Sequence, residues 1–281
     1  MDLYKIRNEI LEILEAKRNE LNLSFEEENH IYTMSNLIEN RSDWPSVSKV
    51  LKKFYTPFPT DEAATNKSRG NIVIKEQLIK EWENEGVRSA NMGSRVHYIL
   101  EGKCLNKFNI VKDIRKPIFD CDDEQVIKSD KMISNGVMFI NKCQEHGMVL
   151  LDTEMVLGSN ILGYVGQPDK VFLYKTKNDE LSFIVTDWKS NKKKNFETTK
   201  WTKSMNEPFE YLPNIALSHY KLQLPFYARL LKDMLKGSKY EDILLHSCVI
   251  VHLSEDSYKT YKVSNDTIDE VFNLDLTKYI K

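Results

Sequence analysis

The stretch Gly163-Tyr-Val-Gly-Gln-Pro-Asp169, followed by Phe183-Ile-Val-Thr-Asp187-Trp188-Lys189, decides how the chain reads. Side chains alternate between faces along a strand. Phe183, Val185, Asp187 and Lys189 therefore share one face and set a carboxylate beside an ammonium at the strand end. A preceding strand is expected over residues 161–174, carrying Asp169, with Lys175-Thr-Lys-Asn-Asp-Glu180 as the hairpin turn. Strands paired this way bring Asp169 and Asp187 within reach of one hard cation. Mg²⁺ takes one or two carboxylates, several waters and substrate phosphate oxygens. Lys189 can then orient or deprotonate an attacking water, or offset charge developing on a phosphate. Taken alone, the stretch reads equally well as a polar hairpin with a surface ion pair.

The 281 residues suit one large domain or two small ones, and the composition is that of an ordinary globular protein. A net charge of -2 excludes a uniformly basic nucleic-acid binder, so any such surface must be local. No apolar run reaches membrane-spanning length, and Met1-Asp-Leu-Tyr-Lys-Ile-Arg7 lacks the apolar core of a secretory signal. A cytoplasmic protein, neither secreted nor membrane-bound, is expected. Cys104, Cys121, Cys143 and Cys248 are scattered with no Cys-x-x-Cys pair, which argues against a zinc knuckle or a disulfide framework.

Leu3, Ile6, Ile10, Leu11 and Leu14 form the stripe of an amphipathic helix over 2–20. A small hairpin over 25–34 is expected to turn at Glu28-Asn29, and a short helix to begin near Pro45 and end by Tyr55–Thr60. Helices follow over 71–82 and 88–105, separated by a stop at Glu83-Asn-Glu-Gly86, and a third over 122–146. Strands are expected at 149–157, 161–174, 181–189, 244–253 and 258–263, with helices over 218–235 and 268–279. The pattern predicts a mixed α/β fold with a helical N-terminal portion, residues 1–88, packed on a core of residues 89–281.

Two further clusters carry chemistry. In Gly93-Ser-Arg-Val-His97-Tyr-Ile-Leu-Glu101, His97 and Glu101 lie four apart on one helical face, where a neutral imidazole can serve as a metal ligand. In Tyr220-Lys-Leu-Gln223-Leu-Pro-Phe-Tyr227-Ala-Arg229, Gln223 and Tyr227 share a face and can contact DNA or brace a site. Each reads alone as an ordinary helix whose polar residues rim the core. Lys192, Lys193 and Lys194 can neutralise phosphates in a salt-sensitive manner. Trp201, in the aperiodic segment 195–217, suits base stacking or anchors its loop on the core.

In their order along residues 91–231, Gly-x-x-x-His-x-x-x-Glu, Gly-x-x-Asp, Asp-x-Lys and Gln-x-x-x-Tyr resemble the RecB-like exonuclease branch of the PD-(D/E)xK nuclease superfamily. Within it the chain is most similar to phage-encoded exonucleases and the mitochondrial genome maintenance exonuclease. The resemblance implies a restriction-endonuclease-like αβββαβ core, with a mixed central sheet flanked by helices. It implies a hydrolase cutting DNA at ends or in single strands during replication, repair or recombination. In that reading His97, Asp169, Asp187 and the Trp188 carbonyl bind Mg²⁺ or Mn²⁺, and Lys189 is the catalytic lysine. Asp169 and Asp187 share the catalytic role, while Gln223 and Tyr227 face the substrate. Glu101 supports the ligands, and Glu154, placed on the first strand on the same face as Asp152, is a weaker candidate. Cysteine-bearing relatives hold an iron–sulfur cluster with a close group of three cysteines after the core. Only Cys248 follows Tyr227 here, so no cluster is expected. A structure-specific endonuclease of the same fold and a non-catalytic DNA-binding scaffold are the competing expectations.

Overall fold

A computed structural model describes residues 2–26, 29, 31–35, 44–114 and 119–280. Helix α1 (Leu3–Glu20) is capped by the Asp2 carboxylate and buries Ile10 and Leu14 from the predicted stripe. Strands β1 (Ser24–Glu26) and β2 (Ile31–Thr33) pair antiparallel as the expected hairpin, whose turn residue Glu28 lies outside the described residues. Helix α2 (Val47–Leu51) starts at Ser46, and α3 (Thr60–Lys67), not anticipated from a segment whose sole buried residue is Ala64, follows.

The largest departure comes next. Helix α4 (Ile72–Lys107) runs unbroken for 36 residues, about 54 Å at 1.5 Å per residue. The expected stop at Glu83–Gly86 does not occur. Gly86 keeps helical geometry at a cost of about 1 kcal/mol, and the helix formers on either side carry the hydrogen bonding through it. Only the C-terminal half of α4 packs, burying Val96, Leu100, Cys104 and Leu105. The N-terminal half contacts α3, with Lys75 Nζ 2.6 Å from Asp61, and contains no buried residue over 72–90. It projects as an arm.

Helix α5 (Asp123–Glu145) begins with a reciprocal Asp122–Gln125 capping box. Strands β3 (Val149–Thr153), β4 (Leu157–Ser159), β5 (Tyr164–Gly166), β6 (Lys170–Lys175) and β7 (Leu181–Lys189) follow. Both long strands expected upstream of β7 are thus divided. Glu154 adopts φ +44° after β3, and Gln167-Pro168-Asp169 separates β5 from β6, since Pro168 has no N–H to give a ladder. Asp169 therefore sits immediately before β6 rather than within a strand. Glu154 lies beyond β3, and Asp152 turns its carboxylate to Lys112 Nζ at 3.1 Å.

After β7, α6 (Ala216–Met234) crosses to β8 (Leu244–Leu253), which pairs parallel with β7. Strand β9 (Tyr258–Lys262) and α7 (Asn265–Asn273) complete the chain, the closing helix being shorter than expected because Asp275 caps a separate 3-10 turn over Leu276–Lys278. The main sheet has the order β3-β6-β7-β8-β9, antiparallel except at β7/β8. It is a mixed sheet with helices on both faces. Phe183 and Val185 of β7 pack toward α1, α2 and α6, while Ile184 and Trp188 pack toward α4 and α5, so the predicted alternation holds. The segment 197–215 is anchored by buried Met205 and Phe209. Among the described residues, no helix is long and apolar enough to cross a membrane.

Gly136 marks the closest approach of α5 to α4. A Cβ there would lie 2.5 and 2.7 Å from the two Leu100 methyl carbons. Gly136→Ala gains about 1 kcal/mol of helix propensity but overpacks a fully buried leucine, a cost of about 1–3 kcal/mol. Net destabilisation is expected. Denaturant unfolding showing the variant more stable than the parent would refute this packing.

Candidate functional site: a buried acid cluster at the end of the central sheet

The site gathers at the C-terminal end of β7, where α4 approaches from one face and α6 from the other. His97 Nδ1, from α4, lies 3.3 Å from Asp169 Oδ2. The Trp188 N–H donates to the same Asp169 oxygen at 2.7 Å, and the Trp188 carbonyl accepts from the His97 ring. One residue of β7, through its own N–H and carbonyl, thus fixes both side chains. Burial pushes His97 below its usual pKa, and the Asp169 carboxylate only partly opposes this. Asp169 feels the same burial, yet His97, Lys170, Lys189 and the Trp188 N–H hold it below the ordinary carboxylate range.

Glu154 joins them through its left-handed backbone. Its N–H donates to the Asp169 carbonyl at 3.0 Å, and Gln167 Nε2 donates to the Glu154 carbonyl at 3.0 Å. Such a conformation in a non-glycine residue costs on the order of 1 kcal/mol or more and is concentrated at functional sites. Burial, then Asp169 and Glu101, raise the Glu154 carboxyl well above its usual range. Ligand atoms of His97, Glu154 and Asp169 all lie within 4.8 Å of one another, a spacing that a single cation can bridge. Glu101, one turn beyond His97, accepts from Thr153 Oγ1 at 2.9 Å and is raised chiefly by burial.

Asp187 stands beside that trio. It is 3% exposed, and burial followed by the Asp169 charge pushes its carboxyl up to about 7. Lys189 Nζ sits 2.5 Å from Asp187 Oδ2, as their shared strand face requires, and forms a buried ion pair with it. Burial alone would lower Lys189; Asp187 and Asp169 outweigh it and hold the group as an ammonium.

Lys170, absent from the sequence-derived set, is 1% exposed. Its ammonium lies 3.9 Å from the Trp188 ring centroid and 3.8 Å from Asp169 Oδ2. Burial lowers it, and Asp169 opposes that. A lysine opening the otherwise apolar run Val171-Phe172-Leu173 was the signal available in the sequence. Tyr220 is a second residue that the motifs did not single out. Its ring lies 4.4 Å from Lys189 Nζ, and its hydroxyl donates to Asn191 Oδ1 at 3.0 Å. The Asn191 carbonyl is 2.7 Å from His252 Nε2, so α6 and β8 together pin the chain just after Lys189.

The two α6 motif residues lie deeper. Gln223 Nε2 donates to the Tyr227 hydroxyl at 2.7 Å, and the buried Tyr227 ring packs where a Cβ on Gly166 would be 2.7 Å away. They brace the strand that leads to Asp169. A cleft of about 1570 Å³ opens over the cluster, with His97, Glu101, Glu154, Lys189 and Lys192–Lys194 in its walls. Lys192 Nζ contacts Glu85 of α4 at 2.5 Å, Lys193 lies 3.8 Å from Glu197, and all three lysines are exposed. Trp201 is 79% exposed and does not line the cleft.

No family model matches the chain, and no curated protein matches it. Among solved structures, one titled "Crystal structure of SSO0001" is similar at 14% identity over 62% of this chain and 81% of that one, with a TM-score of 0.21. A likeness of that size carries no argument.

An acid whose pKa is raised by folding stabilises the fold below its ordinary value of 3.8 and loses that contribution as the pH rises through about 7. In EDTA, the thermal midpoint of wild type relative to Asp187→Asn should therefore fall as the pH passes from 5 to 8. A relative change of about 5 °C is expected, on the scale of about 2–4 °C per kcal/mol. A difference independent of pH would refute the placement of Asp187.

Proposed function

We propose that the protein is a metal-dependent nuclease of the PD-(D/E)xK type, an exonuclease acting on DNA ends or single strands. The observation that carries the reading is the convergence of His97, Glu154 and Asp169 beside the Asp187–Lys189 pair, with His97, Glu154 and Lys189 lining an open cleft. The donor set suits a hard divalent cation: carboxylates, a neutral imidazole and the Trp188 carbonyl. Asp187 is raised by burial and then by the Asp169 charge, and Glu154 by burial and then by Asp169 and Glu101. Both are relieved by positive charge in the cluster.

His97, Glu154 and Asp169 would hold Mg²⁺ or Mn²⁺, with Asp187 and the Trp188 carbonyl adjoining. When bound, such a cation supplies Lewis-acid stabilisation of the phosphoryl oxygens and lowers the pKa of an attacking water. This set differs from the ligands implied by the sequence motifs in giving Glu154 a direct part and in turning Asp187 toward Lys189. Lys189, held as an ammonium, donates hydrogen bonds: it orients the water and offsets charge on the phosphate rather than removing a proton. Tyr220 fixes the position of that ammonium from below. Lys192–Lys194 bind backbone phosphates at the cleft wall, and Gln223 and Tyr227 keep the Gly166–Asp169 turn in place. The proposed partner is DNA, and the proposed site of action is the cytoplasm.

A time course on end-labelled single-stranded, blunt duplex and closed circular DNA, with Mg²⁺, Mn²⁺ or EDTA, tests the reading. Linear DNA should be degraded in either metal, circles spared and EDTA inhibitory. Asp187→Ala and Lys189→Ala should each lower the rate by about a thousandfold or more, the scale of losing a preorganised electrostatic group, with folding retained. Cut circles would make the enzyme an endonuclease. Intact DNA under every condition would leave a binding scaffold and end the catalytic proposal.

A further inference from the structure

Stacking of unpaired bases was expected of Trp201, but the cleft wall contains a different tryptophan. Trp82 lies on the projecting arm of α4 and lines the same cleft as His97 and Lys189. Phe58, 69% exposed, meets it edge-on with ring centroids 6.3 Å apart, and Lys67 Nζ lies 5.6 Å from the Trp82 centroid. Glu85, three residues on and so on the same helical face, contacts Lys192 Nζ at 2.5 Å. Trp82 is thereby one helical turn from the residue that contacts the first of the three cleft lysines, and that lysine is three residues from Lys189 in sequence. Chemistry, phosphate-binding charge and aromatic surface follow one another along a single wall.

We propose that Trp82, flanked by Phe58 and Lys67, is a stacking site for an unpaired nucleobase of a single strand lying in the cleft. The inference rests on the nuclease reading above and deepens it by naming the substrate as single-stranded at this point. A single strand is the occupant that fits both features of the wall. Its phosphates meet Lys192–Lys194, and its bases, free of partners, offer π faces to an indole. A duplex keeps its bases stacked within the helix and presents only phosphates to such a wall. An apolar protein segment would instead have to bury Lys192 and Glu85 together with the ring, at the desolvation cost of both charges. The arm contributes no buried residue over 72–90, so Trp82 is not required there by the core.

The test is binding without cleavage. Fluorescence anisotropy in EDTA would compare a labelled single strand of about 20 nucleotides, enough to exceed one stacking site, with a duplex of equal length. Trp82→Ala should weaken single-strand binding about tenfold, within the range for one base–aromatic stack, and leave duplex binding within about twofold of wild type. Trp82→Phe, which keeps a ring, should restore most of the loss. The inference is overturned if Trp82→Ala binds single strands as wild type does, if it loses single strand and duplex equally, or if only Trp201→Ala weakens binding. A wild type that cuts DNA while Trp82→Ala binds unchanged overturns the stacking site alone. A wild type that neither cuts nor binds single strands overturns the nuclease reading with it.

Discussion

The end of the central sheet is organised by charge held out of water. Glu154, Asp169 and Asp187 converge with Lys170 and Lys189 where burial penalises every ionised form. Removing such groups from water costs several kcal/mol each unless they are paired and hydrogen-bonded. The fold answers with two lysines and the backbone of one residue. Lys170 lies against the Trp188 ring beneath the cluster, Lys189 lies against Asp187 above it, and the Trp188 N–H and carbonyl serve Asp169 and His97 between them. The compensation remains incomplete: Asp187 and Glu154 stay above the ordinary carboxylate range. That remaining penalty is what the proposed cation would relieve.

Strand β7 separates the two tasks by face. Trp188 faces α4 and α5 and packs edge-on against Phe139 at 5.5 Å, so the hydrophobic contacts of that layer set the height of the backbone that holds His97 and Asp169. Asp187 and Lys189 face α6, where the Tyr220 ring supports the lysine and the Gln223–Tyr227 pair braces the neighbouring Gly166 backbone. Supporting residues on both faces are locked by packing, which keeps a constellation of this kind in register. Disturbance of either layer reaches the site through the same strand.

What the sequence disclosed is the part governed by short periods. The alternation in β7 put Asp187 beside Lys189, and four-residue spacing put His97 over Glu101 and Gln223 over Tyr227. What stayed hidden depends on contacts distant in the chain or on backbone geometry. Glu154 looks like a strand residue, and only its left-handed φ carries it to Asp169. Lys170 follows an aspartate and could be taken for solvent-facing, since nothing local tells that Trp188 will roof it. Gly86 carries a helix-breaking propensity of about 1 kcal/mol, too little to interrupt helix formers on both sides. The split at Gln167–Asp169 was legible in Pro168, whose missing N–H should have ended the strand.

The continuity of α4 has a geometric consequence. Trp82 and His97 are carried by one rod with no break between them, so their relation is a matter of helical phase and not of side-chain packing. Each residue of an α-helix advances about 1.5 Å and turns about 100°. One residue inserted or deleted between positions 82 and 97 would swing the aromatic arm a quarter-turn or more off the cleft while leaving every contact of His97 intact. The count of residues along this stretch is therefore a structural quantity in its own right, like the length of a shaft between two keyed gears.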